Sequence, residues 1–155
     1  MTSNDIVGAT QWPDPTTGLA SSSEQETVTV NALGQTLTST DRNGNVHTLG
    51  YDVLGRLTAD AVTTLGSGVN GTVRRVETAY DSQGNAYLFT NYDAASGGSI
   101  VNQVQRGFNG LGQLTAEWQS HSGAVNTSLL ALHHRRDRCK SRRREPPPSA
   151  VESSP

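Results

Sequence analysis

A four-residue pattern, Asp or Asn, any two residues, then Gly, limits what this chain can fold into more than any other feature. It occurs as Asn31-Ala32-Leu33-Gly34, Asp41-Arg42-Asn43-Gly44, Asp52-Val53-Leu54-Gly55, Asp81-Ser82-Gln83-Gly84 and Asn109-Gly110-Leu111-Gly112. An Asp or Asn side chain accepts backbone N–H bonds inside a type I turn, and a Gly at the fourth position takes φ > 0 without a Cβ penalty. A type I turn closed by a left-handed glycine is a common hairpin connection. The glycines fall at 34, 44, 55, 84 and 112, so the first intervals are 10 and 11 residues, one strand plus one turn each. The later intervals, 29 and 28 residues, are too long for one strand. Each contains its own turn signal, Gly66-Ser67-Gly68-Val69-Asn70-Gly71 and Asp93-Ala94-Ala95-Ser96-Gly97-Gly98. Ser120-His121-Ser122-Gly123 adds another. The pattern predicts a meander of about eight or nine short antiparallel strands over residues 27–127.

The flanking residues also favour strands. Tyr51, Tyr80 and Phe108 each precede a turn, and the residues after the glycine read polar, apolar, Thr in Gln35-Thr36-Leu37-Thr38, Arg56-Leu57-Thr58 and Gln113-Leu114-Thr115. At period two, Phe108, Leu114, Ala116 and Trp118 are expected to share a face. Tyr87 and Phe89 alternate with Ala86, Leu88 and Thr90. With 5% aromatic residues, the expectation is that the rings fill the buried face of a sheet. A sugar-stacking surface of Trp12, Tyr51, Tyr80, Tyr87, Phe89, Tyr92, Phe108 and Trp118 is the alternative. Leu, Ile, Val and Phe make up 30 of 155 residues, at the edge of what a buried core requires, yet the high net charge of a disordered chain is absent.

The net charge of −2 conceals two regions. Residues 1–128 carry 5 basic and 11 acidic residues (5 − 11 = −6), and residues 129–155 carry 7 basic and 3 acidic (7 − 3 = +4). Residues 1–26 are expected to be disordered or poorly ordered, with no basic and apolar leader of the secretory kind. No apolar run approaches the ~20 residues of a spanning helix. One cysteine, Cys139, cannot close an internal disulfide.

The segment Asp41–Thr58 resembles the RHS/YD-repeat family. The family's unit carries Tyr-Asp-x-x-Gly-Arg-Leu-Thr at its turn, and Tyr51-Asp52-Val53-Leu54-Gly55-Arg56-Leu57-Thr58 matches it throughout. Phe108-Asn109-Gly110-Leu111-Gly112-Gln113-Leu114-Thr115 is a conservative variant, and Tyr80-Asp81-Ser82-Gln83-Gly84-Asn85 is a partial match. The turn residues singled out are Asp41, Gly44, Tyr51, Asp52, Gly55, Arg56, Leu57, Tyr80, Asp81, Gly84, Phe108, Asn109 and Gly112. The resemblance implies an all-β fold, an open antiparallel β-strip of YD-type repeats that forms part of an RHS-like shell. It also implies a secreted or cell-surface setting, and as partners further repeats, an enclosed C-terminal effector or carbohydrate. The repeats are scaffold and bring no catalytic residues. At 155 residues the chain is too short to close a shell, and it lacks the family's self-cleaving core motif. Asp14-Pro15-Thr16-Thr17-Gly18 only faintly resembles part of that motif.

The repeat grammar stops near residue 128. The remaining LLALHHRRDRCKSRRREPPPSAVESSP is Arg- and Pro-rich, without Gly, Thr or Tyr. The reading preferred is loss of frame, ahead of a genuine disordered tail and of a basic nucleic-acid patch. Frame loss predicts that another frame of the DNA continues the repeats beyond codon 128; no continuation in any frame would refute it.

No catalytic set can be assembled, so no enzyme activity and no cofactor are expected. His133, His134 and Cys139 lack the ordered spacing of a zinc site, with His47 and His121 on separate hairpins. Asp41-Arg42-Asn43-Gly44-Asn45 begins like a calcium loop but lacks the later ligands. Asn70-Gly71-Thr72 and Asn126-Thr127-Ser128 fit glycosylation sequons, though Asn-Gly is first a turn. The combined expectation is a structural repeat segment with disordered ends and exposed sheet edges that favour self-association. A surface-binding β-module is the first alternative and nucleic-acid binding through the Arg-rich tail the second.

Overall fold

The computed structural model describes residues 8–129 together with the backbone of Leu132 and His133. All regular structure in this range is β. Ten strands form one antiparallel sheet in strict chain order. They are β1 (Ala9–Pro13), β2 (Ala20–Val30), β3 (Thr36–Thr40), β4 (Val46–Tyr51), β5 (Leu57–Thr64), β6 (Arg75–Tyr80), β7 (Ala86–Tyr92), β8 (Ile100–Phe108), β9 (Leu114–Ser120) and β10 (Leu132–His133). The expected meander is therefore present. Its tenth strand is a two-residue pairing of Leu132 and His133 with Glu117 and Ala116.

The sheet begins earlier than the sequence suggests. Residues 1–26, expected to be poorly ordered, contain β1 and most of β2. The reason is the Asp14–Gly18 turn. Asp14 Oδ1 accepts the N–H groups of Thr16 and Thr17, each at 2.8 Å. The backbone closes through Gly18 N–H to Asp14 O, also 2.8 Å. The polar run Ser21-Ser22-Ser23 hides the strand because neither face there is apolar. Of the tail expected to be disordered, residues from 134 onward lie outside the described range.

Because the strands follow chain order, hairpin turns alternate between the two ends of the strip. Turns at Asn31, Asp52, Asp81 and Asn109 share one rim, and Asp14 and Asp41 turn at the other. The second rim is irregular, with register shifts beside its turns at Gln11/Trp12 and Asn91/Tyr92, and the first rim is uniform. On the first rim each hairpin carries a bulge beside its turn, where the register shifts at Thr29/Val30, Gly50/Tyr51, Ala79/Tyr80 and Gly107/Phe108. The extra residues are Leu37, Thr58, Tyr87 and Thr115, each three positions after its turn glycine. The β3–β4 hairpin, turned by Asp41–Gly44, pairs without a shift. A bulge offsets the pleat and bends the strand.

The bulge at Thr115 breaks one expected common face. Gly107 pairs with Ala116, and a Cβ on Gly107 would meet Trp118 Cζ3 at 3.5 Å. Phe108, the next residue along the strand, therefore points to the opposite face from Trp118.

The sheet is a single layer. Only Ala61 and Ala116 are buried apolar residues among those described, and no large side chain is fully enclosed. Instead of filling a buried face, the aromatic residues of β4 to β9 lie half-buried, and Trp12 on β1 is exposed. Four of the rings are covered by guanidinium groups, Arg42 over Trp12, Arg56 over Tyr80, Arg75 over Tyr92 and Arg106 over Phe89, at 4.0 to 5.6 Å. Such stacks contribute roughly 0.5–1 kcal/mol each at exposed sites. Polar cross-strand pairs supplement them. Gln103 Nε2 donates to Thr90 Oγ1 at 2.8 Å, and Arg106 Nε donates to Glu117 Oε2 at 2.9 Å.

With so little core, the turns carry much of the fold's specification. Gly84 has φ +88°, and a Cβ there would meet no neighbour closer than Arg56 Nη1 at 3.6 Å. Gly84→Ala is thus expected to cost about 1–2 kcal/mol through backbone conformation alone. Gly55, at φ +79°, would also place its Cβ 3.0 Å from Gln35 Nε2, so Gly55→Ala should cost more. Urea denaturation of both variants checks this; equal midpoints with the parent chain would refute it.

Candidate functional site: a turn ladder along one rim

All five Asp/Asn-x-x-Gly turns share one hydrogen-bond plan. The first residue's N–H donates to the carbonyl of the fifth, and the glycine N–H donates back to the first residue's carbonyl, at 2.9 to 3.0 Å. The first side chain's Oδ1 accepts two more N–H groups, from the third and fifth residues. Four bonds thus hold a five-residue turn with no hydrophobic contribution.

The fifth residue matters as much as the first. Where the turn opens with Asn, its amide donates to a Gln oxygen, as in Asn31–Gln35 at 2.7 Å and Asn109–Gln113 at 3.1 Å. Where it opens with Asp, the carboxylate accepts from a donor. Asn45 bonds Asp41 at 2.7 Å, Asn85 bonds Asp81 at 2.9 Å, and Arg56 Nε bonds Asp52 at 2.7 Å. The matching of donor to acceptor is legible in the sequence, since Gln follows the Asn turns and Asn or Arg the Asp turns. Gln35, Asn45, Asn85 and Gln113 are therefore motif residues that the four-letter pattern missed.

These bonds hold the carboxyls of the Asp turns below their ordinary value of 3.8. The leading cause is the Asn45 side chain for Asp41, the Arg56 backbone N–H for Asp52 and the Asn85 side chain for Asp81. Asp14 is lowered chiefly by the Thr17 N–H.

The turns on the first rim also bond to one another. Tyr51 O–H donates to Thr36 O, and Tyr80 O–H donates to Leu57 O, both at 2.9 Å. Thr36 and Leu57 each stand two residues after the glycine of the preceding rim turn, so each tyrosine reaches back one hairpin. Gln35 Nε2 donates to Gly55 O at 3.1 Å, bridging the same gap through the fifth residue. Arg56, fifth in its turn, lies 4.2 Å from the centroid of the Tyr80 ring. At the next step Phe108 replaces tyrosine, and its ring has no hydroxyl to offer Ala86 O. Asp41 and Gly44 form the same turn on the opposite rim, outside this ladder.

The described residues bring no cluster of His, Cys, Asp or Glu together as metal ligands. His47 Nδ1 lies 2.7 Å from Asp60 Oδ1 across β4 and β5, a cross-strand pair far from His121 on the β9 turn. His133 is described in backbone only, and His134 and Cys139 lie outside the described residues. A shallow hollow of about 300 Å³ on one sheet face is lined by Ala59, Glu77, Ala79, Leu88, Thr90 and Gln103. Thr90 and Gln103 already satisfy one another there.

Residues 30–67 match the RHS Repeat family model, from the end of β2 through the turns at Asn31, Asp41 and Asp52 to the loop after β5. This match supports an RHS-type repeat protein and rests on about a quarter of the chain. No curated protein matches it.

Two outcomes follow from this geometry. Tyr80→Phe should lose about 0.5–1.5 kcal/mol, and Phe108→Tyr should gain a bond to Ala86 O worth a similar amount. Denaturant midpoints of the two variants test this, and a Phe108→Tyr chain no more stable than its parent would refute the ladder at that step. The second concerns pH. Carboxyls lowered in the folded chain bind protons less readily than in the unfolded chain. Their stabilisation is thus full above about 3.8 and is lost as pH falls through that value toward the depressed ones. Thermal midpoints should decline through this window, and Asp81→Asn should flatten the decline; an unchanged slope would contradict it.

Proposed function

We propose that this chain is a structural scaffold segment, a strip of RHS repeats without catalysis that forms one wall of a larger β-assembly in a secreted or cell-surface setting. The observation that carries the reading is where the motif side chains are spent. Tyr51, Asp52, Arg56, Tyr80, Asp81 and Asn109 bond within their own turn or to a neighbouring rim turn, which leaves them no part in outward chemistry. The single layer supports the same reading. A sheet with two faces and an edge strand open to solvent is half of a packing arrangement that other layers or further strands complete.

The rim adds support. Leu33, Val53, Leu54 and Leu111 stand at turn tips on the ladder side and are 73% exposed or more. Strand spacing puts adjacent rim turns about 10 Å apart. That gives a line of apolar tips suited to packing against a neighbouring wall. The partners in this reading are further repeats, with an enclosed effector as the cargo of the wider assembly.

The reading predicts self-association of the isolated chain through its open edge and apolar tips. Sedimentation velocity across a concentration series should show concentration-dependent oligomers. A monomer with one cooperative thermal transition at every concentration would contradict the scaffold reading. Saturable glycan binding by that monomer would replace it with a surface-binding module.

A further inference from the structure

Three Asn-Gly peptides occur among the described residues, Asn43-Gly44, Asn70-Gly71 and Asn109-Gly110. An asparagine before glycine is chemically labile because no Cβ hinders the following nitrogen. The structure treats the three differently. At Asn43 the following nitrogen is engaged, with Gly44 N–H donating to Asp41 O at 3.0 Å. At Asn109 the amide nitrogen that would depart is held. The side chain's Oδ1 accepts from Leu111 and Gln113, and its Nδ2 donates to Gln113 Oε1.

Asn70 has neither restraint. It is exposed, in the connection between β5 and β6 that carries no strand pairing. Among the described residues, neither its Nδ2 nor the Gly71 N–H donates a hydrogen bond. Its Oδ1 instead accepts from Thr72 N at 2.8 Å and from Thr72 Oγ1 at 2.6 Å. Both bonds draw electron density from Cγ, the carbon under attack, and leave the amide nitrogen free to depart.

We propose that Asn70 is a spontaneous modification site of this protein, deamidating through a succinimide formed with Gly71. Hydroxide removes the Gly71 amide proton, and that nitrogen bonds to Asn70 Cγ. The Cγ–Nδ2 bond breaks and ammonia leaves. Water then opens the ring to aspartate or isoaspartate, and no oxidant or reductant is involved. The net charge moves from −2 to −3 (−2 − 1 = −3). Thr72 is the positioning residue, because its hydroxyl polarises the carboxamide.

The test is incubation of the full chain in mildly alkaline buffer, with a parallel sample in strong denaturant. Peptide mass spectrometry follows the unit mass gain at each site. The folded chain should convert at Asn70 ahead of Asn43 and Asn109, with a matching acidic species on ion exchange. The three rates should converge in denaturant. Thr72→Ala should slow Asn70 alone, and Thr72→Ser should restore it. Conversion of Asn43 or Asn109 at the rate of Asn70 or faster in the folded chain would overturn the proposal, as would indifference to Thr72→Ala.

Discussion

The structure depends on a small polar device, an Asx side chain that accepts two backbone N–H groups while a left-handed glycine turns the chain. In most sheets a hydrophobic core fixes register, and turns merely permit it. Here only two apolar residues among those described are buried, so register must be set locally. Each turn fixes its strand pair within five residues, and on the first rim the bulge three residues after the glycine then resets the pleat. Hairpins are specified one at a time and joined by chain order.

What joins them beyond the strand ladder is the rim. Tyrosine to carbonyl, amide to carbonyl and guanidinium over ring each reach from one hairpin to the next. This gives a physical meaning to the spacing of the rim glycines at 34, 55, 84 and 112. The repeat unit is a hairpin, and the Tyr-Asp-x-x-Gly-Arg sequence of residues 51–56 encodes both halves of its contact. Asp52 and Gly55 close the turn, Tyr51 grips the hairpin before it, and Arg56 covers the ring of the hairpin after it. Gly44 belongs to the same turn chemistry, but its position on the other rim leaves it out of this exchange.

Much of this was legible in the sequence because turn chemistry is local. The meander and its strand count follow from Asp, Asn and Gly positions and from the turn signals in the long intervals. The matched pairing of first and fifth residues was also present in the letters, in Asn31 with Gln35 and Asp81 with Asn85. Two features were not. The β1–β2 hairpin is polar on both faces through Ser21–Ser23, so it gives no alternation to detect there, and Asp14–Gly18 follows a different turn spacing. The bulges have no composition signal, since Leu37, Thr58, Tyr87 and Thr115 share only a position. This offset is why Phe108 and Trp118 part company despite an even spacing. The aromatics were expected to form a core, but a single layer offers none, and arginines cover several of them instead.

The central claim is that neighbouring hairpins are energetically coupled through the rim, and a double-mutant cycle on Arg56 and Tyr80 tests it most directly. The two residues belong to successive hairpins, so local turn effects cancel in the cycle and their mutual term remains. Urea denaturation of Arg56→Ala, Tyr80→Leu and the double variant should give a coupling of about 0.5–1 kcal/mol. Additivity within about 0.3 kcal/mol would mean that the hairpins stand side by side without the ladder, and would contradict the account.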